Sequence, residues 1–137
     1  MAVNPDMEPE IVLSGGGRTQ VVRRGDIVLR RTGPWALAVH ALLRHLEAAG
    51  FDAAPRVVGT GFDATGREML TWIEGDIVNP APWSDNAAVA IGRMIRRLHD
   101  ATASFRAPRG ARWRRWFGRD VGGGRPGGQV RRHLRGI

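Results

Sequence analysis

Three observations predict an α+β fold built on an antiparallel five-stranded sheet with one packed helix. Short runs rich in β-branched residues are separated by glycine-containing turns. One apolar stripe of helical period lies between the third and fourth of these runs. A second stripe follows a proline-punctuated linker. At 137 residues and 42% apolar content, the chain can bury one modest core and has little room for two independent ones.

The first three runs are Glu10 to Ser14, Arg18 to Arg23 and Ile27 to Arg31, separated by Gly15-Gly16-Gly17 and by Gly25-Asp26. Glycine tolerates the positive φ of tight hairpins, so these runs read as consecutive antiparallel strands. Gly33-Pro34 ends the pattern. Val39, Leu42, Leu43 and Leu46 then recur at i, i+3, i+4 and i+7, which predicts an amphipathic helix of roughly four turns with Gly50 as its C-terminal cap. Two further strand-like runs follow, Arg56 to Thr60 and Glu68 to Ile73, joined by the turn-forming cluster Asp63-Ala64-Thr65-Gly66.

Asn79-Pro80-Ala81-Pro82 is the linker. Beyond it Ser84 or Asp85 can cap a second helix whose apolar face is Ala88, Ile91, Ile95 and Leu98, and whose other face carries Arg93, Arg96, Arg97 and Asp100. Periodicity fades from Arg106, apart from the cluster Trp113, Trp116 and Phe117. From Val121 onward six of seventeen residues are Gly and four are Arg, too few apolar groups to offset the entropy of ordering, so disorder is expected there.

Charge is divided unevenly along the chain. Residues 1 to 105 hold 11 Arg against 12 Asp and Glu, whereas residues 106 to 137 hold 10 Arg against Asp120 alone, so the net charge of +8 describes a tail and not a domain. There is no Cys, which excludes disulfide scaffolds and thiolate metal sites, and no Lys, which excludes a P-loop of the GxxxxGK[ST] type. The polar, acidic start lacks the order of a signal peptide, and no apolar run reaches the ~18 residues of a membrane span, so a cytoplasmic location without membrane partners is expected. His40 and His45 point to different helix faces, His99 lies at a helix end and His133 in the tail, so no metal site is expected.

Gly15, Gly16 and Gly17 occupy the turn between the first two strands, where glycine lets backbone N–H groups approach phosphate oxygens closely; three glycines in a hairpin also suit a plain loop. With them come the strand end VLRR, the helix VHALLRHLEAAGF, the return APRVVG, the connector LTWIEG and the helix IGRMIRRLHDA. In this motif order, from Glu10 to about Thr102, the chain resembles the small lobe of the aminoglycoside phosphotransferase and choline kinase group of kinase-like enzymes.

The resemblance implies a kinase-like N-terminal lobe followed by the first helix of an incomplete C-terminal lobe. The corresponding organisation is an N-terminal arm at 1–9, the small lobe at 10–78, a linker and the start of the large lobe at 79–118, and a disordered Gly/Arg tail at 119–137. It also implies that ATP with Mg²⁺ is the cofactor, that Gly15 to Gly17 cover its phosphates, and that Arg30 stands in the place of the family's phosphate-binding lysine. Thr71, Trp72 and Ile73 would present their backbone to adenine, and a small-molecule hydroxyl would be the acceptor. The helix acid that pairs with that lysine in kinases is missing, with Val39 and His40 at its place. Arg30 and Arg31 can equally be solvated ends of an edge strand.

The family's HxDxxxxN loop and metal-binding Asp do not occur in the 137 residues, so no catalytic residue is expected. The change of composition near Asp120 is what a shifted frame yields in GC-rich coding sequence, and the expectation is that another frame past codon 120 encodes the missing loop. Two other function classes stay open: a non-catalytic immunity or interaction module, and nucleic-acid association through Arg112, Arg114, Arg115 and Arg119 interleaved with Trp113 and Trp116. The nucleic-acid reading is disfavoured because no recognition fold accompanies the tail. Self-association through the large-lobe helix is expected, because its apolar face and the Trp cluster would be left partly exposed.

Overall fold

The computed structural model describes residues 8–13, 20–76 and 82–114. Its strands are β1 (Glu10–Leu13), β2 (Val21–Arg24), β3 (Ile27–Arg30), β4 (Val57–Phe62) and β5 (Glu68–Thr71); its helices are α1 (Ala36–Ala48) and α2 (Asp85–Thr102). All strand pairs are antiparallel, in the order β1-β2-β3-β5-β4. This is the α+β architecture of a kinase-like small lobe, with five strands and a helix in the expected sequence order.

Each turn has a local cause. Gly25, with φ of 55°, opens the two-residue β2–β3 turn. Between β4 and β5, Asp63 Oδ1 accepts from the amide of Thr65 at 2.9 Å, the hydroxyl of Thr65 at 2.7 Å and the amide of Arg67 at 2.8 Å, while Gly66 takes φ of 83°. α1 ends in a Schellman motif: Gly50, at φ of 74°, donates to Glu47 O at 3.0 Å and Phe51 donates to Leu46 O at 2.9 Å. The accompanying apolar contact is present, since Phe51 and Leu46 share the core.

That core lies between α1 and one face of the sheet: Leu43, Leu46, Phe51, Val57 and Leu70, with Val39, Leu42 and Ala54 packed against it. From α2 only Leu98 and Ala101 reach it, and no α2 residue is fully buried. Ser84 caps α2, its Oγ accepting from the amide of Ala87 at 3.2 Å. Of the anticipated apolar face, Ile91 and Leu98 are half-buried, while Ala88 and Ile95 are exposed. No helix of the described residues is long and apolar enough to cross a membrane.

β4 departs from regular pairing. Val57 pairs with Leu70 and Phe62 with Glu68, so β4 spends Val58 to Gly61 where β5 spends Met69 alone. Gly59 and Gly61, at φ of 54° and 90°, supply the conformations this wide bulge requires. Beyond α2 the chain folds back toward α1: Phe105 lies 5.3 Å from the His45 ring, Trp113 meets Phe105 edge-on at 6.4 Å, and the Arg114 guanidinium stacks 4.9 Å above Trp35. These two members of the anticipated Trp and Arg cluster serve packing here. Residues 115–137, including Trp116, Phe117, Arg115 and Arg119, lie outside the described residues.

Candidate functional site

Side chains alternate across a strand, so Val28 and Arg30 on β3 share the helix-facing side with Glu68 and Leu70 on β5. Arg30 and Glu68 are direct cross-strand partners. The Arg30 Nε–H donates to Glu68 Oε2 at 2.9 Å, and Nη2 reaches Oε1 at 3.4 Å. His40 arrives from α1, its Nε2 3.0 Å from the same Oε1. A carboxylate only accepts, so His40 presents Nε2–H.

The three side chains differ sharply in exposure. Glu68 is fully enclosed and His40 nearly so, whereas the Arg30 side chain retains 33% of its surface. An enclosed carboxylate needs partners for its charge, and two basic side chains converge on this one. Phe62 closes the far side, its ring centroid 4.9 Å from that of His40. Glu68 holds the Arg30 guanidinium by its Nε and Nη2 edge, so Nη1 is not engaged by the carboxylate.

β3 is an interior strand, so the reading of Arg30 and Arg31 as ends of a solvated edge strand does not hold. Arg30 is half-buried and paired; Arg31 alone is exposed. The acid absent from α1 is present on β5. In the sequence Glu68 reads only as the first residue of a strand. A signal was nonetheless available: Glu68 shares the inward phase of Leu70, and an inward acid on one strand requires an inward base on its neighbour, a condition Arg30 meets.

The end of β5 forms the second part of the site. The amide of Thr71 donates to Arg56 O at 2.9 Å and its Oγ1 accepts from the Arg56 amide at 2.8 Å, while the Trp72 amide donates to Asp26 O at 2.8 Å. Ile73 is exposed, and its backbone makes no hydrogen bond among the described residues. The Trp72 indole N–H donates to Glu74 Oε2 at 2.7 Å, and the Arg23 guanidinium lies 4.3 Å above the indole ring. Arg30 and the β5 end are thus brought to one sheet: Ile27, opposite Thr71, is three residues from Arg30, about 10 Å along the strand. Gly15, Gly16 and Gly17 lie outside the described residues. Among the described residues no group of three His, Cys, Asp or Glu could hold a metal ion.

A second charge cluster lies on the opposite sheet face. Glu10 of β1 accepts from Arg24 at 2.6 Å and from Arg67 at 2.8 Å, and Arg67 also donates to Asp63 at 2.9 Å. Hydrogen bonding to Arg67, then to Arg24, lowers Glu10 to about 2. At Asp63 partial burial acts upward, but hydrogen bonds from Thr65 and Arg67 outweigh it and hold the carboxyl at about 2. These bonds tie the β4–β5 turn to β1 across a curled sheet, a structural role.

A family model described as "Phosphotransferase enzyme family" matches residues 10–132. The chain is 60% identical over 118 residues to the trifolitoxin immunity protein of Rhizobium leguminosarum bv. trifolii. That alignment covers 86% of this chain and 45% of the relative, so the chain spans less than half the length of the protein it matches. No solved structure matches.

Proposed function

The chain belongs to the phosphotransferase enzyme family, and from that premise we propose that residues 10–78 form a nucleotide-holding lobe, with ATP the nucleotide and a small-molecule hydroxyl the acceptor in the longer protein. The observation that carries this reading is the anchored, partly exposed guanidinium of Arg30. Held by an enclosed carboxylate on one edge, on a side chain that keeps a third of its surface, it is a preorganised cation for phosphate oxygens. The unbonded backbone of Ile73 suits the edge of an adenine ring, and Gly15 to Gly17 would close over the phosphates.

Arg in place of Lys offers a planar fork, so one edge can serve Glu68 while the other serves an oxyanion. No residue is named as a Mg²⁺ ligand, since among the described residues no three His, Cys, Asp or Glu are grouped to hold a metal, and no step is assigned to the ion. ATP supplies the transferable γ-phosphoryl group when bound; the residues of this lobe bind and orient its polyphosphate. The 137 residues lack the family's HxDxxxxN pattern. The test is titration of the full chain with MgATP beside Arg30→Ala. Saturable binding that falls about tenfold or more in the variant supports the reading, and binding indifferent to Arg30 overturns it. Phosphoryl transfer by the 137-residue chain is expected to stay at background.

A second reading is favoured by the 60% identity to a protein named for trifolitoxin immunity. On this reading the lobe acts in resistance to that toxin. Expression of the chain in a sensitive bacterium tests it: survival that persists in Arg30→Ala would separate an interaction role from nucleotide binding.

A further inference from the structure

We infer that Glu68 is the positioning residue of Arg30, and that strand register, not the placement of helix α1, fixes this guanidinium. The inference rests on the nucleotide-holding reading for its functional meaning, but its geometry stands independently. In protein kinases the corresponding strand lysine pairs with a glutamate of the neighbouring helix, so helix position governs whether the cation is in place. Here α1 offers no such acid. Its only carboxylate, Glu47, is exposed in the last turn, and His40 occupies the position nearest the site.

The replacement pair belongs to the sheet. Arg30 and Glu68 face each other directly in the β3–β5 ladder, where opposed side chains stand ~5 Å apart at Cβ. The pair ends a run of four cross-strand partners, after Ile27–Thr71, Val28–Leu70 and Leu29–Met69, so the opposition changes only if the whole β3–β5 ladder slips, and a slip by one residue would send Glu68 to the other face. Glu68 binds the guanidinium edge-on through Nε and Nη2. The two Nη1 protons and one on Nη2 are therefore not engaged by Glu68, on a side chain that keeps a third of its surface. An ammonium could not divide its donors between two edges of one fixed plane in this way.

His40 contributes differently. Its Nε2–H completes the shell of Glu68 Oε1, on the carboxylate oxygen that Arg30 holds only at 3.4 Å. The shorter Arg30 bond, at 2.9 Å, goes to Oε2 and does not involve α1. Displacement of α1 would remove the imidazole and leave the Arg30 Nε bond intact. The phosphate-facing cation of this lobe is thereby uncoupled from the helix.

The experiment measures Arg30 itself in the full chain. Its Nε–H resonance is followed by ¹⁵N NMR, and the exchange rate of that proton with solvent is compared in the unmodified protein, Glu68→Gln and His40→Leu. In the unmodified protein the Arg30 Nε–H should exchange at least about tenfold more slowly than that of exposed Arg44; equal exchange overturns the inference without any variant. Glu68→Gln should remove about tenfold of protection, whereas His40→Leu should change it less than about twofold. If His40→Leu releases Arg30 as fully as Glu68→Gln, the helix holds the cation and the inference fails. Titration with sodium tripolyphosphate runs in parallel. Absent binding with the Arg30 exchange pattern intact would reject the nucleotide reading while upholding positioning by Glu68.

Discussion

A methyl group placed on Gly61 would lie 2.5 Å from Nδ1 of His40, the imidazole whose other nitrogen meets buried Glu68. The β4 bulge therefore presses bare backbone against the helix residue that completes the Arg30–Glu68 pair. Gly61→Ala meets two penalties, strain at φ of 90° and collision with a buried ring, and should destabilise the fold by roughly 3 kcal/mol. Gly59 has a similar backbone, at φ of 54°, but open space around it, so Gly59→Ala should cost only about 1 kcal/mol. Urea midpoints of the two variants check this contrast; equal losses would show that backbone strain alone matters.

Acid should weaken the fold through Glu10 and Asp63. Both carboxyls sit at about 2 in the folded chain, below their ordinary values of 4.5 and 3.8. Groups depressed on folding stabilise fully above the unfolded value and lose that contribution as pH falls through the folded one. Stability should thus be level with respect to these groups above about pH 5 and decline from there toward pH 2. Arg67→Leu removes the leading partner of Glu10 and should shallow this decline in urea midpoints measured across that range.

The cap of α2 should act locally. Ser84→Ala removes the acceptor for the Ala87 amide at an exposed helix start, worth about 1 kcal/mol. Because α2 has no fully buried residue, the loss should appear as faster hydrogen exchange over its first turn, with exchange in β3 and β5 unchanged.

What holds the other end of α2 is predicted to be half-buried contact and not charge. His45 Nε2–H donates to Ala101 O at 2.7 Å and the ring packs on Phe105, so His45→Ala should speed exchange through residues 98 to 105. The Arg97–Asp52 pair is exposed on both sides, and Asp52→Asn should shift stability by no more than about 0.5 kcal/mol. A larger effect of Asp52→Asn than of His45→Ala would reverse this assignment.

Local chemistry made most of the fold legible in the sequence. The β-branched runs, Gly25, the Asp63 to Gly66 turn, the Val39 to Leu46 stripe, Gly50 and Ser84 each act within a few residues, so their consequences are readable without knowing what lies across the molecule. The place of Arg30 at a strand end was readable in the same way, as was the lack of a helix acid near it. Tertiary structure alone decided which strands became neighbours. Only the order β3-β5-β4 sets Arg30 opposite Glu68, thirty-eight residues away, and places Gly61 against the His40 ring that meets the same carboxylate. Cross-strand partnership is a property of pairing and register, and neither is written in the periodicity of a single strand. The alternation within β5 marked Glu68 as inward; the charge it would find there depended on Arg30, which a helix and another strand separate from it along the chain.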